Sequence, residues 1–219
     1  MKKLIYTLGW VAAFFFFTPA GMKGQSLSAE KFFKYDSIPL LYLGIDFSKA
    51  KLINDDISKA TVIQERQFNG INDLMIKEFK KYDFQQAFRR INWEVDISEV
   101  EKRNQLVNPD LLKSSNDSDM HWMRKQDVDT LVSSYQFGNH IGYGLLLVVE
   151  GMDKSSKLIT VWYALIDMGT KKILFIKLLQ GKVGSGFGFR NYWASAIKST
   201  ITYIKFRTYD EWKDGTLKK

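Results

Sequence analysis

The C-terminal third of this 219-residue chain constrains its fold more than any other part of the sequence. Three apolar runs occur there, at residues 144–150, 158–167 and 173–179, and short polar turns separate them. Runs of this length between turn residues predict strands, and connections this short join antiparallel neighbours. The sequence therefore predicts a three-stranded meander, which must bury at least one face against other elements.

The residues before the meander alternate between strand and helix patterns. Residues 39–47 form a short apolar run that predicts a buried strand. In residues 91–97 apolar side chains alternate with polar ones, which predicts a strand with one buried face. Apolar side chains at helical spacing predict three helices, which begin near residues 69, 128 and 191. Asn69 is the predicted N-cap of the first helix.

The elements therefore follow the order β-α-β-α-β-β-β-α. This order predicts an α+β domain, in which a mixed, mostly antiparallel sheet has its helices packed on one face. The chain has only three prolines, and no Gly/Ser-rich linker interrupts residues 25–219. We therefore expect residues 25–219 to form a single α+β domain.

The N-terminal residues have the composition of a signal peptide. Lys2 and Lys3 precede an uncharged stretch, residues 4–17, that ends in four phenylalanines, and small or chain-breaking residues follow it. A basic start, a short apolar run and small residues after it are typical of a secretory signal peptide. We predict that residues 1–24 are this signal peptide. An uncleaved anchor is the alternative, although the apolar run is shorter than a comfortable bilayer span.

The chain contains no cysteine. The sequence thereby excludes disulfides, thiolate metal sites, cysteine nucleophiles and a lipoprotein anchor. An exported domain of this size without disulfides is typical of bacteria, so we expect a periplasmic or extracellular location.

The formal net charge of +8 overstates the basic character of the exported part. Three of the 32 basic residues lie in the predicted leader, which leaves 29 basic against 24 acidic residues. Such an excess is ordinary for a mixed, solvated surface. We expect no nucleic-acid partner outside the cytoplasm. The expected partner is an envelope protein, with peripheral contact to anionic lipid headgroups as an alternative.

A glycine-rich loop, residues 181–190, joins the last predicted strand to the last predicted helix. Backbone amides at such a junction can hold an anion. The loop is not a P-loop, because no Gly-Lys-Ser/Thr triplet closes it, and its G-x-G-x-G spacing is not the dinucleotide fingerprint. Three interpretations stay open: a tight chain reversal with Phe187 and Phe189 pinned to the core, a protein-binding loop, and an anion site. The candidate contact residues for the last two are Lys182, Gly184, Ser185, Gly186, Phe187, Gly188 and Arg190.

Two patterns that suggest catalysis or metal binding are incomplete. Ser185 lies between glycines, but Val183 occupies a position where a nucleophile elbow has glycine, and a triad would need His121 or His140. Several acids crowd one segment as in a calcium loop, but Trp122 replaces the glycine that such a loop requires. We predict no catalytic residue, no metal and no cofactor, with hydrolase chemistry and metal binding as alternatives. The residues of the acidic segment are Asp117, Asp119, His121, Asp127 and Asp129.

Residues 144–175, GLLLVVEGMDKSSKLITVWYALIDMGTKKILF, resemble a strand pair that is typical of certain bacterial envelope domains. These are the curli-secretion lipoprotein family, the penicillin-binding-protein activator lipoproteins and the N-terminal domain of the translocation protein TolB. The resemblance extends over roughly residues 39–205 as a pattern of elements. The Asp-x-x-Thr-Gly-like turn of that group reads Asp167-Met168-Gly169-Thr170-Lys171 here, with Gly and Thr exchanged, and the lipobox cysteine is absent.

Residues 181–193, GKVGSGFGFRNYW, look like a signature of uncharacterised exported proteins of the Bacteroidetes type. Together the two resemblances imply an envelope accessory domain and assign no catalytic residue. We therefore predict an exported, non-enzymatic accessory protein that binds another envelope protein. The alternative class is a small-ligand or anion binder, or an enzyme, that uses the loop at residues 181–190.

Overall fold

The computed structural model describes residues 27–217, so the predicted signal peptide at residues 1–24 lies outside the described residues. The strands are β1 (Leu40–Asp46), β2 (Lys51–Ile53), β3 (Trp93–Val95), β4 (Lys113–Ser114), β5 (Tyr143–Asp153), β6 (Leu158–Asp167) and β7 (Lys172–Lys182). The helices are α1 (Ala29–Lys34), α2 (Ala60–Val62), α3 (Phe68–Lys77), α4 (Phe84–Ala87), α5 (Ser98–Gln105), α6 (Lys125–Ser133), α7 (Gly188–Tyr203) and α8 (Tyr209–Leu217). π-Helical turns at Ile63–Gln67 and Ile204–Thr208 join α2 to α3 and α7 to α8.

The seven strands form one sheet around β5. β6 pairs with β5 along its whole length, and β7 pairs with β6, so the predicted antiparallel meander is confirmed. β1 and β2 therefore share the opposite edge of β5, and both run parallel to it. β3 and β4 pair in parallel with the outer edges of β1 and β2.

The α+β class is confirmed, but the prediction of a mostly antiparallel sheet is wrong. Four of the six strand pairings are parallel. Short turns reveal only pairings between neighbours in sequence, whereas parallel pairs need long connections that leave no local signal. The parallel half of the sheet was therefore invisible in the order of elements.

The prediction that the helices cover one face of the sheet is also wrong. One core lies between the sheet and helices α3 and α7, where Trp193 and Ile197 are fully buried. A second core lies on the other face, where Val128 and Val132 of α6 pack with Leu146 of β5. Every residue of β5 is buried, and a strand buried on both faces requires cover on both.

The helix predicted to begin near Asn69 begins earlier, at Ala60. Asn69 lies inside this helix, and its Nδ2 donates to the carbonyl of Glu101 at 3.2 Å, so it is not the N-cap. Between Ala60 and Gln67 only Ile63 is buried, so this first part of the helix lacks the apolar periodicity that revealed the rest. The last predicted helix is confirmed as α7, with a π-helical continuation.

Two buried asparagines hold the chain where β1 ends. Asn72 accepts from the backbone N–H of Ile45 at 2.7 Å and donates to its carbonyl at 2.9 Å. Asn104 accepts from the N–H of Phe47 and donates to the same Ile45 carbonyl. The two amides thus occupy the place of a neighbouring strand and satisfy backbone groups that would otherwise be buried without partners.

Within residues 27–217, no helix combines the length and the apolar character needed to cross a bilayer.

Candidate protein-binding surface

The glycine-rich loop makes a tight connection between β7 and α7. A Cβ added to Gly186 would lie 2.4 Å from the carbonyl oxygen of Asn191, so a side chain at this position would force the backbone to move. Gly188 has φ +74°, a conformation that L side chains rarely adopt. The structure therefore supports a tight chain reversal at these two predicted positions.

Two amides at the start of this loop are used by α7. The N–H of Gly184 donates to Ser195 Oγ at 2.9 Å, and the N–H of Lys182 donates to Ser199 Oγ at 3.4 Å. An anion site needs free and convergent N–H groups, so these two amides do not contribute to one. Ser185 is exposed, and within the described residues it has no hydrogen bond to a histidine. His140 instead contacts Asp96 at 2.8 Å.

Arg190 joins the loop to the helix that begins at Ala60. Its Nε donates to Gln67 Oε1 at 3.0 Å, and its Nη2 donates to the carbonyl of Arg66 at 3.1 Å. The guanidinium also lies directly over Gly70, where an added Cβ would come within 2.3 Å of Nε. Arg190 is therefore an anchor of the loop, and substitution of it would disturb loop structure together with any contact.

Replacement of Arg190 by alanine is expected to lower the free energy of unfolding by about 1 kcal/mol, because two hydrogen bonds to the π-helical turn are lost. Urea denaturation measures this change. Arg207→Ala is the matched control, since Arg207 is an exposed arginine on the other π-helical turn. Equal stabilities of the two variants would show that Arg190 does not anchor the loop.

The two phenylalanines of the loop have different environments. Phe189 is half-buried, and its ring lies 6.3 Å from that of Trp193. Phe187 is 97% exposed, so the expectation that both rings are pinned to the core is wrong for Phe187. The Phe187 ring therefore lies in solvent, and no described residue covers it.

A second exposed apolar side chain lies in the segment before α2. Ile57 is 93% exposed. The buried Asp55 carboxylate accepts from the N–H of Ile57 and of Ser58, and from Ser58 Oγ. This local network fixes the loop while leaving the isoleucine in water, where an apolar side chain gains nothing unless a partner covers it.

A shallow groove of about 250 Å³ is lined by residues of both loops. Its lining residues are Phe189, Val62, Ile63, Ser58, Lys59 and Gln67. We call this groove, with the exposed side chains of Ile57 and Phe187 in its two bordering loops, the loop surface. One feature of the sequence could have pointed to Ile57, which is the single apolar residue in the polar run at residues 54–59.

The turn between β5 and β6 contacts the glycine-rich loop and α7. The N–H of Val183 donates to the Lys157 carbonyl at 2.9 Å, and the Lys154 ammonium lies 3.8 Å from the centre of the Tyr192 ring. Burial raises the pKa of Asp153, but hydrogen bonds from Ser156 and Ser155 outweigh it and leave that pKa below its ordinary value. The carboxylate therefore stays ionised and holds the turn of the hairpin.

The acids of the segment that suggested a calcium loop accept hydrogen bonds from nearby side chains and backbone groups. Asp117 accepts from Asn54 Nδ2 at 2.8 Å, Asp119 from Ser114 Oγ at 2.7 Å, and Asp127 from the N–H of Arg124 at 2.7 Å. In the part of the chain that the structure describes, no group of three or more acidic or histidine side chains is arranged to hold a metal ion.

No protein-family model matches this chain, and no curated protein matches it either.

Proposed function

We propose that this protein is an exported, non-enzymatic accessory protein that binds another protein of the cell envelope through the loop surface. One observation carries the proposal: Phe187 and Ile57 are almost fully exposed, and each lies within two residues along the chain of a side chain that lines an apolar groove. Large apolar side chains in such positions mark sites of protein association. Export rests on the composition of residues 1–24.

The chemistry of the loop surface favours a partner over a small substrate. The groove is shallow, and its polar side chains are Ser58, Lys59 and Gln67, of which Gln67 is already used by Arg190. A catalytic site needs a nucleophile or proton-transfer groups within hydrogen-bonding distance of one another. An apolar groove with a basic rim instead suits an apolar side chain of a partner that has an acid beside it.

The double substitution Phe187→Ala with Ile57→Ala is expected to reduce capture of the partner at least about tenfold, since exposed aromatic and aliphatic anchors dominate many interfaces. The variant should unfold at the wild-type urea concentration, because neither side chain is buried. The measurement is quantitative crosslinking and pull-down from whole envelopes. Ile141→Ala is the matched control, because Ile141 is exposed but lies beside β1 and β5, away from the loops.

An unchanged set of crosslinked proteins in the double variant would contradict the proposal. Flotation with anionic vesicles tests the alternative of peripheral membrane contact, which the exposed Phe187 and the neighbouring Lys59 and Lys182 would favour. Salt-sensitive vesicle binding that the double variant loses, without any partner protein, would assign the loop surface to lipid.

A further inference from the structure

An apolar cavity of about 250 Å³ lies beside β3, at the edge of the sheet opposite β7. Three nearly parallel rings form one wall: Tyr42 lies 4.7 Å from Phe84 and 5.5 Å from Trp93 between ring centres. Further apolar lining comes from Met75, Ile76, Phe79, Tyr82 and Val95, and two polar residues, Asp83 and Gln85, also line the cavity. The Tyr42 hydroxyl is buried and has no hydrogen-bond partner among the described residues.

The cavity adjoins a free edge of the sheet. The N–H of Leu40 donates to the carbonyl of Asn92, and the N–H of Asp96 donates to the carbonyl of Tyr42. The Asn92 carbonyl and the Asp96 N–H therefore face β1. Because backbone groups alternate along a strand, the N–H and C=O groups of Trp93 and Val95 face the opposite way. No described residue pairs with this outer edge of β3.

The surroundings of the edge are mostly apolar on the cavity face, and the opposite face carries the exposed carboxylate of Glu94. On the cavity face, Val95 is 42% exposed and Phe79 is 62% exposed, and Ile91 nearby is 70% exposed. On the opposite face Glu94 is exposed and forms no ion pair with any described residue. An edge strand with this character is a template for an added strand.

We propose that the β3 edge and its cavity bind an extended segment of another protein with the pattern apolar–basic–apolar. Residues placed opposite Trp93 and Val95 put their side chains on the cavity face, because directly paired residues share a face. The residue between them lies on the face of Glu94, where a lysine or arginine complements the unpaired carboxylate. The free backbone groups of the edge supply the main-chain hydrogen bonds of an added strand.

This inference concerns a surface distinct from the loop surface and goes beyond the proposed function. The cavity has room for one aromatic side chain, which the rings of Tyr42, Phe84 and Trp93 would contact. A second copy of this chain is a poorer occupant, because β3 itself carries Glu94 between Trp93 and Val95 and would place two carboxylates together.

The test uses the purified full-length protein and a labelled, blocked peptide with the core Thr-Phe-Lys-Phe-Thr. Fluorescence anisotropy should show saturable binding, and hydrogen exchange should show new protection of the Trp93 and Val95 amides. Val95→Pro should weaken binding at least about tenfold, because it removes an outward N–H that the β1 ladder does not use. Val95→Thr keeps that N–H and should bind within about threefold of wild type.

A charge exchange tests the role of Glu94 separately. Glu94→Lys should weaken binding of the Phe-Lys-Phe peptide by at least about threefold and strengthen binding of a Phe-Glu-Phe peptide, since it reverses the charge that faces the central residue of the peptide. Glu94 is exposed, so this variant folds even where Val95→Pro does not.

Three results would overturn the proposal: no saturable binding of the Phe-Lys-Phe peptide, equal binding to wild type and to a folded Val95→Pro variant, or no response to Glu94→Lys. Protection of Trp93 and Val95 that rises with protein concentration alone would assign the edge to a second copy and would also overturn it. The Phe187→Ala, Ile57→Ala variant should bind the peptide normally, so failure here is distinguishable from failure of the loop surface.

Discussion

Replacement of Asn72 by alanine is expected to lower the free energy of unfolding by about 3 kcal/mol. Asn72 is fully buried, and its side chain both accepts from the N–H and donates to the carbonyl of Ile45. Asn104 still donates to that carbonyl, but the N–H of Ile45 has no other partner among the described residues and becomes a buried, unsatisfied donor. The loss of the hydrogen bonds and the cavity left by the amide add to this penalty.

Chemical denaturation measures the effect, and Asn92→Ala is the control. Asn92 is exposed and donates a single side-chain hydrogen bond to the carbonyl of Ser37, so its removal is expected to change stability by less than about 1 kcal/mol. Similar losses in the two variants would show that the end of β1 does not depend on Asn72.

The stability of the protein is expected to fall as the pH rises from about 4.5 to about 7, because of Glu150. Burial raises the pKa of Glu150 to about 7, although hydrogen bonds from the Met123 N–H and from Trp162 Nε1 oppose this, and Asp127 adds to the rise. The folded state therefore holds a proton that the unfolded state has already released. Stability is fully present below the unfolded pKa and is lost as the pH passes through the folded pKa, by about 3 kcal/mol in total.

Glu150→Gln removes this titration. The unfolding free energy of the variant minus that of wild type should increase by about 3 kcal/mol from pH 4.5 to pH 8. Urea denaturation at a series of pH values measures this difference. Any pH-independent effect of the amide on stability does not change its pH dependence. Glu94→Gln, at an exposed glutamate, is the control and should follow wild type. A pH-independent difference for Glu150→Gln would contradict the burial effect.

Local patterns predicted the elements better than their arrangement. The meander of β5, β6 and β7 was readable because short turns fix which strands pair. The apolar run of β1 was readable as a buried strand, but its parallel pairing with β5 depends on contacts about a hundred residues apart. The helix α6 was also predicted, and only the structure shows that it covers the second face.

The strand at residues 91–97 shows where alternation misleads. Its apolar residues predicted a buried face, but only Trp93–Val95 is a strand, and Ile91 and Val95 are exposed. Alternation indicates that side chains point to one face, and burial of that face requires a covering element. At the edge of this sheet the cover is incomplete, and the result is the cavity beside Tyr42.

The glycine-rich loop was recognisable from composition, but the roles of its residues were not. Arg190 and Phe187 were both candidate contact residues, and Phe187 was also a candidate core residue. In the structure Arg190 is tied to Gln67 and Arg66, while Phe187 is in solvent. The role of Arg190 depends on a helix some 120 residues earlier in the chain, which no local pattern in the loop reports.

During synthesis β1 is made long before β5, the strand with which it pairs. Leu40 of β1 pairs with Tyr143, so about a hundred further residues must be synthesised before the partner of β1 is present. The β5–β6–β7 hairpins close short loops and can form quickly, whereas β1 must then close a long one. A half-made chain therefore carries an uncovered apolar strand, and it is the form of this protein most prone to aggregate.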